Sequence, residues 1–467
     1  MKKVNSDIFR EYDIRGLTTD GSLSPEVAEQ IGKAFGTVLK ENNGNKAAVG
    51  YDNRFSSIFL KDFLIKGLIS TGINVIDIGM VVTPMLYFAQ IYYNVEGAVM
   101  VTGSHNPPEY NGFKISVNGQ NLYGAGIKNL QHLIATQSFI TGTGSLLKEN
   151  VFPAYRNMIR KKIKLGPKKL KVVVDPGNGT TSPYAPKILS SLGCKVIPIN
   201  AESNPTFPGH FPDPVLPENL EDLQAAVLKE KADVGIAYDG DGDRLGVVDN
   251  EGKIIWGDKI MILFWKEILS KTPQIDKAFV EVKCSQCLID ELKKLGVQPV
   301  FLRTGHSYVK KALKETGAPF AGEMSGHMFF ADEYYGFDDA IYASARLLRI
   351  LSNIENTLAD ELKKLPEYYS TPEIRIDCPD AIKFKIVSEC KSFFSEKYSI
   401  IDVDGIRINF NDGWALIRAS NTQPALVLRC EATTYNKLSQ YVKIIYDKLV
   451  EYPDIKIQLN DKLFRYF

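Results

Sequence analysis

Three aspartates alternate with glycines in one short segment, Asp239-Gly240-Asp241-Gly242-Asp243. The alternation allows an extended turn to direct three carboxylates at one point, and their oxygens are the hard ligands that Mg²⁺, Mn²⁺ or Ca²⁺ prefer. Without a cation the carboxylates would repel one another. An EF-hand does not fit, because it requires Gly and Glu at the positions where this chain has Arg244 and Asn250. The segment therefore predicts a metal site, with a solvated acidic turn as the alternative.

A second polar loop, Thr102-Gly103-Ser104-His105-Asn106-Pro107, places a serine beside a histidine. The pair does not match a hydrolase triad, and nothing in the chain resembles a G-x-S-x-G elbow. An isolated loop serine is usually a turn or capping hydroxyl. If Ser104 faces the metal loop, however, it can carry a phosphoryl group whose oxygen completes the coordination shell of the metal.

A third loop, Arg418-Ala419-Ser420-Asn421-Thr422, combines a guanidinium, two hydroxyls, an amide and backbone N–H groups, and Arg429 adds a second guanidinium. This is the composition of a phosphate-binding site. A surface turn with solvated arginines is the alternative. Two further segments, Tyr12-Asp13-Ile14-Arg15-Gly16 and Arg303-Thr304-Gly305-His306, add cations, which could instead form structural salt bridges.

The strands that must position these loops recur in three similar units. Each unit has three short strands, the third of which ends in a polar loop containing glycine. Because ligands bind beyond the carboxyl ends of strands in open α/β sheets, three such domains sharing a cleft would bring their loops together. The plainer alternative is that all α/β units look alike. The strands are predicted at 47–52, 74–79 and 97–102, at 171–175, 194–199 and 233–238, and at 279–283, 297–302 and 319–323, and the loops at 102–107, 239–244 and 322–327.

The end of the chain has a different pattern. The segments 405–410 and 414–418 flank the turn Asn411-Asp412-Gly413 and predict an antiparallel hairpin, followed by a strand from Ala425 and a helix. With 467 residues the chain is too long for one core. We therefore expect three α/β domains at 1–150, 151–255 and 256–368, and a C-terminal α+β domain at 369–467.

Composition limits the classes of partner. Hydrophobic residues make up 44% and charged residues 24% of the chain, which are ordinary values for a globular protein. The 56 basic and 55 acidic residues give a net charge of +1, which provides no general attraction for nucleic acid or an anionic membrane. Cys284 and Cys287 form a C-x-x-C without a second pair at zinc spacing, so we expect buried thiols. With no signal core and no long apolar run, we expect a cytoplasmic protein.

Together, these motifs resemble the α-D-phosphohexomutase superfamily over essentially the whole chain, with five motifs in the order typical of that family. The chain is most similar to the bacterial phosphomannomutase/phosphoglucomutase branch. The serine loop and Gly322-Glu323-Met324-Ser325-Gly326-His327 carry this assignment. The phosphoglucosamine mutases tend to have Ala-Ser-His-Asn-Pro in the serine loop and Gln in place of Met324.

The resemblance implies three topologically similar mixed-sheet α/β domains plus a C-terminal α+β domain around a central cleft. It implies that Ser104 is the phosphoserine and that Ser104, Asp239, Asp241 and Asp243 are ligands of Mg²⁺. Sugar hydroxyls would be held by Glu323 and Ser325. The phosphate of the substrate would be held by Arg418, Ser420, Asn421 and Thr422 near Tyr12, and the cleft would be lined by Arg15, Lys114, Arg244, Lys283, His306 and His327. Candidates for the general base and acid are His306, Lys114, His105 and Arg15, which the sequence does not rank.

The activity implied by this resemblance is the reversible interconversion of hexose 1-phosphates and 6-phosphates through a hexose 1,6-bisphosphate, by a monomer or weak homodimer. Mannose and glucose differ only at C2, whereas the Glu and Ser of the family contact the 3- and 4-hydroxyls, so we expect activity on both sugars. The alternatives are a phosphoglucosamine mutase, a metal-dependent sugar-phosphate phosphatase, and a non-catalytic Ca²⁺- or anion-binding protein.

Overall fold

The computed structural model describes residues 4–420 and 423–455. Its strands form four sheets that follow one another along the chain. Parallel and antiparallel pairs occur together in each of the first three sheets, whereas the fourth is antiparallel. Over the described ranges, no helix combines the length and the apolar character needed to cross a membrane.

The first sheet has helices on both sides and begins after a 3₁₀ helix at Ser6–Ile8. Its elements are, in chain order, β1 (Ile14–Leu17), α1 (Pro25–Glu41), β2 (Lys46–Tyr51), α2 (Phe55–Ile69), β3 (Asn74–Met80), α3 (Thr83–Tyr92), β4 (Gly97–Val101), β5 (Tyr110–Val117), β6 (Gln120–Asn121), α4 (Ala125–Thr136) and β7 (Leu146–Lys148). The strand order is β1-β5-β4-β2-β3-β7, with β6 paired to β5.

The second and third sheets are smaller. The second region contains α5 (Phe152–Lys162), β8 (Lys171–Asp175), α6 (Ala185–Ser191), β9 (Lys195–Pro198), a 3₁₀ helix (Pro217–Leu220), α7 (Glu221–Glu230), β10 (Val234–Tyr238), β11 (Leu245–Asp249) and β12 (Ile254–Ile255). The third contains α8 (Gly257–Lys271), β13 (Lys277–Glu281), α9 (Gln286–Lys294), β14 (Gln298–Leu302), α10 (His306–Thr316), β15 (Phe320–Gly322), β16 (Met328–Phe330), α11 (Ala340–Asn353) and α12 (Leu358–Lys363). Their strand orders are β12-β11-β10-β8-β9 and β14-β13-β15-β16.

The same topology occurs in all three sheets, which confirms the predicted repeat. In each sheet the first strand of the unit lies between the second and third and is parallel to both. A further strand then returns antiparallel to the third: β5 beside β4, β11 beside β10, and β16 beside β15. The sequence pattern did not identify these returning strands. Each of the three predicted polar loops joins a third strand to its returning strand, so the loops occupy equivalent positions.

Helix α3 connects the first domain to the next two, because it is buried along most of its length in one apolar cluster that runs through all three. The ring of Phe88 packs against Tyr155 of α5 at 5.7 Å between centroids, and Tyr87 packs against Phe337 at 5.5 Å. Burial of one aromatic side chain contributes about 1.5–3 kcal/mol to the stability of the folded state, so these rings stabilise the junction between the domains. This shared core fixes the first three domains relative to one another and therefore fixes the loops at their edges.

The last region folds as the predicted α+β unit around an antiparallel sheet. Its elements are β17 (Tyr369–Ser370), β18 (Ile374–Asp377), α13 (Asp380–Ser395), β19 (Ser399–Ile401), β20 (Ile406–Phe410), β21 (Gly413–Ala419), β22 (Ala425–Ala432) and α14 (Tyr435–Leu449). The hairpin of β20 and β21 is the one that the sequence predicts.

A buried arginine attaches this last domain to the third. Arg407 is fully buried and donates to the carbonyl oxygens of Val282 at 2.8 Å and Cys284 at 2.7 Å. Its guanidinium lies 3.8 Å from the ring centroid of Trp414, whose indole N–H donates to Glu431 at 2.9 Å. Burial of the guanidinium lowers the pKa of Arg407 to about 9. The backbone that follows β13 is thus held by the last domain through a cation and its aromatic neighbour.

Candidate active site

The serine loop lies at the carboxyl end of β4 and holds Ser104 in the left-handed region, at a φ of 51°, which is uncommon for a residue with a side chain. The N–H of Ser104 donates to Thr102 Oγ1 at 2.8 Å. Its Oγ donates to Asp239 Oδ2 at 3.1 Å and lies 3.1 Å from His105 Nδ1. Burial and then the charge of Arg244 lower the pKa of His105 well below its ordinary value. The structure thus brings the predicted serine of the first domain to the predicted metal loop of the second.

The three aspartates of the metal loop, Asp239, Asp241 and Asp243, are fully buried between β10 and β11. Oδ1 of Asp239 accepts from the backbone N–H groups of Asp243 and Arg244 at 3.0 and 3.1 Å. Lys114 of β5 donates to Asp241 at 2.7 Å and to Asp243 at 2.5 Å. Burial and then the neighbouring carboxylates raise the pKa of Asp239 well above its ordinary value. Burial opposes the charge on Lys114, but Asp241 and Asp243 together raise its pKa well above the ordinary value.

This aspartate triad fits a hard divalent cation. Each of Asp239, Asp241 and Asp243 presents one oxygen, and these atoms lie within 4.8 Å of one another. Oδ1 of Asp241 and Oδ1 of Asp243 are buried and have no hydrogen-bond partner among the described residues. Thr83, at the first turn of α3, donates to Asp241 Oδ2 at 2.5 Å and so fixes that carboxylate. The donors are all oxygens, as Mg²⁺ requires, and the Ser104 hydroxyl lies beside them.

Two predicted histidines stack on each other beside the metal loop. The rings of His306 and His327 lie 5.9 Å apart, and Arg244 Nε donates to His327 Nε2 at 3.1 Å. Between them lies a buried carboxylate that the sequence did not single out: Asp338 Oδ2 is 3.1 Å from His327 Nδ1 and 3.8 Å from His306 Nδ1. Lys310 lies 2.7 Å from the other oxygen of Asp338. Burial and then Lys310 lower the pKa of His306 well below its ordinary value, so its ring is neutral at pH 7.

The loop between β15 and β16 presents the predicted sugar-binding pair. Glu323 accepts from the N–H of Gly305 at 2.7 Å, and Ser325 Oγ donates to its other oxygen at 3.3 Å. Burial and then the charge of Glu281 raise the pKa of Glu323. Lys283 lies 3.2 Å from Glu281. The loop therefore lies beside a second buried carboxylate, Glu281, and the ammonium that pairs with it.

The N-terminal segment contacts the third domain through Tyr12 and the serine loop through Arg15. Tyr12 Oη donates to the carbonyl oxygen of Thr304 at 3.2 Å, which links the first domain to the third. Arg15 lies 2.6 Å from Asp13 and also bonds the side chain of Asn106 in the serine loop. Arg15 therefore contacts the loop that carries Ser104, at a residue two positions after the serine.

The predicted phosphate loop is described only in part. Arg418 Nε lies 3.0 Å from Asp404, and Ser420 Oγ accepts from the N–H of Gln423 at 3.1 Å. Asn421 and Thr422 lie outside the described residues. The loop joins β21 to β22, so the antiparallel hairpin places its arginine and its serine at one end of the last sheet.

Arg429, the second predicted guanidinium of this site, lies at the contact between the third and last domains. It is 4% exposed, donates to the carbonyl oxygen of Lys283, and lies 3.5 Å from Asp258. These contacts orient the segment that carries Lys283. The position of Arg429 therefore favours support of the cleft wall over direct contact with a phosphate.

Several buried charged residues that touch these loops were not identified from the sequence. Asp52 and Arg54 follow β2 and bond the serine loop. Glu281 ends β13 and accepts from the N–H of Met324 at 2.9 Å. Asp338 precedes α11 and contacts both site histidines. Asp52 and Glu281 share one signal, because both lie at the carboxyl end of a strand whose neighbour carries a polar loop.

The C-x-x-C motif is not part of the site. Cys284 and Cys287 are buried free thiols, as predicted. Burial raises the pKa of Cys287 to about 12, so its reactive thiolate form is scarce near pH 7.

Four consecutive family models match the chain. They are "Phosphoglucomutase/phosphomannomutase, alpha/beta/alpha domain I" over residues 6–140, domain II over 153–252, domain III over 256–369, and the C-terminal domain over 373–448.

Curated relatives and a solved structure agree with these matches. A phosphomannomutase/phosphoglucomutase of Pseudomonas aeruginosa is 44% identical over 445 residues, which cover 95% of this chain and 96% of the relative. A phosphoglucomutase of Neisseria gonorrhoeae is 41% identical over 439 residues, which cover 93% and 95%. The crystal structure of a phosphoglucomutase/phosphomannomutase family protein from Burkholderia thailandensis aligns with a TM-score of 0.90 at 40% identity, covering 96% of this chain and 97% of that one.

Proposed function

This chain belongs to the phosphoglucomutase/phosphomannomutase family, and on that premise we propose that it interconverts hexose 1-phosphates and 6-phosphates through a phosphoserine at Ser104. The reaction is an isomerisation by intramolecular phosphoryl transfer, with a hexose 1,6-bisphosphate as intermediate. The observation that carries the proposal is the 3.1 Å contact of Ser104 Oγ with Asp239, one of three buried aspartates able to hold a metal. A loop serine with an ordinary capping role has no need of such a neighbour.

The residues around Ser104 have the charges that phosphoryl transfer requires. Lys114 bonds Asp241, and the charge of Arg244 interacts with Asp239 and Asp243, so both cations would stabilise the negative charge of the transferring group. The triad and the Ser104 hydroxyl would hold Mg²⁺, which when bound supplies further positive charge to the phosphoryl oxygens. The low dielectric of this buried site strengthens each of these interactions.

Two histidines are placed to move protons. A general base must be unprotonated at the working pH, and His306 meets this condition because burial and Lys310 lower its pKa. We assign His306 the role of the general base that takes the proton of the sugar hydroxyl. His105 Nδ1 lies 3.1 Å from Ser104 Oγ, and its lowered pKa keeps the ring neutral, so it is placed to take the serine proton when Ser104 accepts a phosphoryl group and to return that proton in the reverse transfer. Lys114 and Arg15 then act as cations and not as bases.

Recognition of the sugar phosphate is assigned to the third and last domains. Glu323 and Ser325 would bind sugar hydroxyls, with Lys283 beside them, while His327 orders Arg244. The phosphate that is not being transferred would bind Arg418, Ser420, Asn421 and Thr422 near Tyr12, with Arg429 holding the wall behind them. Since none of these groups is assigned to C2, both mannose and glucose phosphates are substrates of the proposed site.

The proposal also includes the metal, the activator, the location and the oligomeric state that we expect from the sequence. We retain Mg²⁺ as the metal, hexose 1,6-bisphosphate as activator, a cytoplasmic location, and a monomer or weak homodimer without nucleic-acid or membrane partners. We also retain the domain boundaries near 150, 255 and 368. Each of the four sheets lies within one of these ranges, which supports the division.

A labelling experiment tests the function. The protein is incubated with glucose 1,6-bisphosphate and Mg²⁺, digested, and its peptides are mapped for one added phosphoryl group, while glucose 1-phosphate conversion is followed in parallel. We expect the group on the peptide that contains Ser104, and almost no conversion by Ser104→Ala, which should retain its circular dichroism spectrum. Near-normal turnover by Ser104→Ala would disprove the phosphoserine. Steady release of inorganic phosphate would indicate a phosphatase, and faster conversion of glucosamine 6-phosphate a phosphoglucosamine mutase.

A further inference from the structure

Arg54 is a buried arginine directly before α2, with 3% of its surface exposed. Its Nε donates to Asp52 at 3.1 Å. Its two terminal nitrogens donate to four backbone carbonyl oxygens in the serine loop and at the start of β5, which include Ser104 at 2.8 Å and Tyr110 at 3.2 Å. The other two are those of Asn106 and Pro107. A guanidinium carries five N–H donors in a rigid fork, so this set of acceptors satisfies all of them.

The serine loop needs such a donor for two reasons. Residues 107 and 108 are both proline, which have no N–H to donate, yet the loop still contains buried carbonyl oxygens that must be paired. The loop also holds Ser104 at a φ of 51°, a conformation that persists only where the surroundings impose it. Asp52 completes the arrangement, because it accepts from the N–H of Gly103 at 3.0 Å while it orients the guanidinium.

The turn that carries Arg54 is also attached to the second domain. The N–H of Asn53 donates to Thr180 Oγ1 at 3.1 Å, and its side chain donates to the carbonyl oxygen of Asn178 at 2.8 Å. The N–H of Thr180 in turn donates to the carbonyl oxygen of Gly240 in the aspartate loop at 3.0 Å. The tripeptide Asp52-Asn53-Arg54 therefore contacts the serine loop directly, and it contacts the aspartate loop through Thr180.

We propose that Arg54 is a positioning residue for phosphoryl transfer, which fixes the direction of Ser104 Oγ by binding three carbonyl oxygens of its loop and that of Tyr110 at the start of β5. This inference rests on the proposed function of Ser104. Arg54 acts through the backbone: because the peptide unit is planar and trans, the bond to the Ser104 carbonyl holds the N–H of His105 on the opposite side. Lysine cannot replace it, since an ammonium has three donors and no fork.

The variants Arg54→Lys and Arg346→Lys test the proposal. Arg346 is the matched control, because it is a fully buried arginine that bonds Glu267 and Asp332 in the third domain, away from the serine loop. For Arg54→Lys we expect kcat to fall about a hundredfold, as for a reacting atom misplaced by about 1 Å. KM for glucose 1-phosphate should stay within about twofold, because Arg54 touches none of the groups assigned to substrate. Backbone hydrogen exchange in peptides covering 102–112 should accelerate in Arg54→Lys and not in Arg346→Lys.

Each outcome decides the matter. Unchanged exchange in 102–112 together with kcat within about threefold of the parent would overturn the proposal, as would an equal loss in Arg346→Lys. If Arg54→Lys does not fold, Asp52→Asn replaces it, and the same split between kcat and KM is expected at about tenfold. Its absence there would also refute the role. If the parent protein takes no phosphoryl group on Ser104, the proposed function fails, while the exchange measurement still reports whether Arg54 orders the loop.

Discussion

Lys114 Nζ lies 2.7 Å from Asp241 Oδ2, so a lysine of the first domain occupies the place of a counter-cation among the aspartates of the second. Both side chains are buried, and Lys114 also reaches Asp243. A buried ion pair of this kind must be well bonded to offset the cost of desolvating its charges. The contact thus joins two domains at the point where a metal is expected.

The variant Lys114→Met should bind a divalent cation more tightly while it transfers phosphate more slowly. Removal of the ammonium leaves Asp241 and Asp243 without their internal cation, so Mn²⁺ affinity should rise at least about tenfold. Turnover should fall because the same ammonium would stabilise the transferring group. Mn²⁺ binding by electron paramagnetic resonance and steady-state rates measure the two effects. Weaker Mn²⁺ binding in this variant would contradict the arrangement.

The variant Asp241→Asn should weaken metal binding by at least about tenfold, because it removes one of three anionic ligands. Asp249→Asn is the control, since Asp249 is a buried aspartate of the same domain whose oxygen accepts from the N–H groups of Glu251 and Lys253. Titration with Mn²⁺ should separate the two variants. Equal affinities would show that the triad is not the metal site.

The variant Gly240→Ala should separate the serine loop from the aspartate loop. A Cβ at this position would lie 2.3 Å from the carbonyl oxygen of Ser104, a contact that requires backbone movement. We expect turnover to fall about tenfold to a hundredfold. In the control Gly126→Ala the three atoms nearest to the new Cβ all belong to the side chain of Leu122, at 3.2 Å or more, so its rate should match the parent. A parent-like rate for Gly240→Ala would mean that the close approach is unimportant.

Glu373 should make the contact between the third and last domains sensitive to acid. Burial opposes its ionisation, but Lys283 and Arg375 hold the pKa of Glu373 at about 2, below the ordinary 4.5. A carboxylate with a lowered pKa stabilises the folded state above its unfolded pKa, and this contribution is lost as the pH falls from about 4.5 towards 2. With partial exposure, we expect about 1–3 kcal/mol at pH 7.

The test for Glu373 compares chemical unfolding of Glu373→Gln and the parent at pH 7 and at pH 3. The difference in stability should be present at pH 7 and should shrink at pH 3. Glu251→Gln is the control, because Glu251 pairs with Lys363 on the exposed surface, where ion pairs contribute little. A difference that is independent of pH would contradict the lowered pKa.

The catalytic efficiency for mannose 1-phosphate and glucose 1-phosphate should agree within a factor of about a hundred, because rejection of one epimer needs a lost hydrogen bond or a clash at C2. Glu323→Gln should lower kcat/KM for both sugars by a similar factor. Measurements of kcat/KM for the two substrates with the parent and this variant provide the check. A selective loss for one sugar would show that Glu323 senses C2.

Residues with unusual chemistry were predictable from the sequence, whereas their supporting residues were not. Asp239 and its neighbours were recognised because alternating carboxylates have few structural uses, and the strand pattern then placed their loop opposite Ser104. Arg54 has no such signature, because its role depends on carbonyl oxygens about 50 residues away whose direction is set only by folding. Asp338 was missed for the same reason, since its neighbours His306 and His327 come from other elements.

The topology was also predictable only in part. The three parallel strands of each unit are apolar and β-branched, so their pattern is strong. The returning strands were missed: β16 has only three residues, β5 follows a loop with two prolines, and the Asp-Gly pairs before β11 were interpreted as a metal loop and not as a hairpin turn. Their pairing is determined by the sheet edge that the preceding strands create.

The stacking of Arg407 on Trp414 gives the protein an optical reporter. The chain has three tryptophans. Trp256 directly precedes α8 and Trp265 lies within it, so only Trp414 lies in the last domain. Its indole contacts a guanidinium that is itself bonded to the third domain. Separation of the two domains would break the bonds of this guanidinium to Val282 and Cys284 and uncover the side of Trp414 that packs on Val282, which would change the emission of Trp414. Intrinsic fluorescence can therefore follow the opening of this contact in the unmodified chain, without an attached dye.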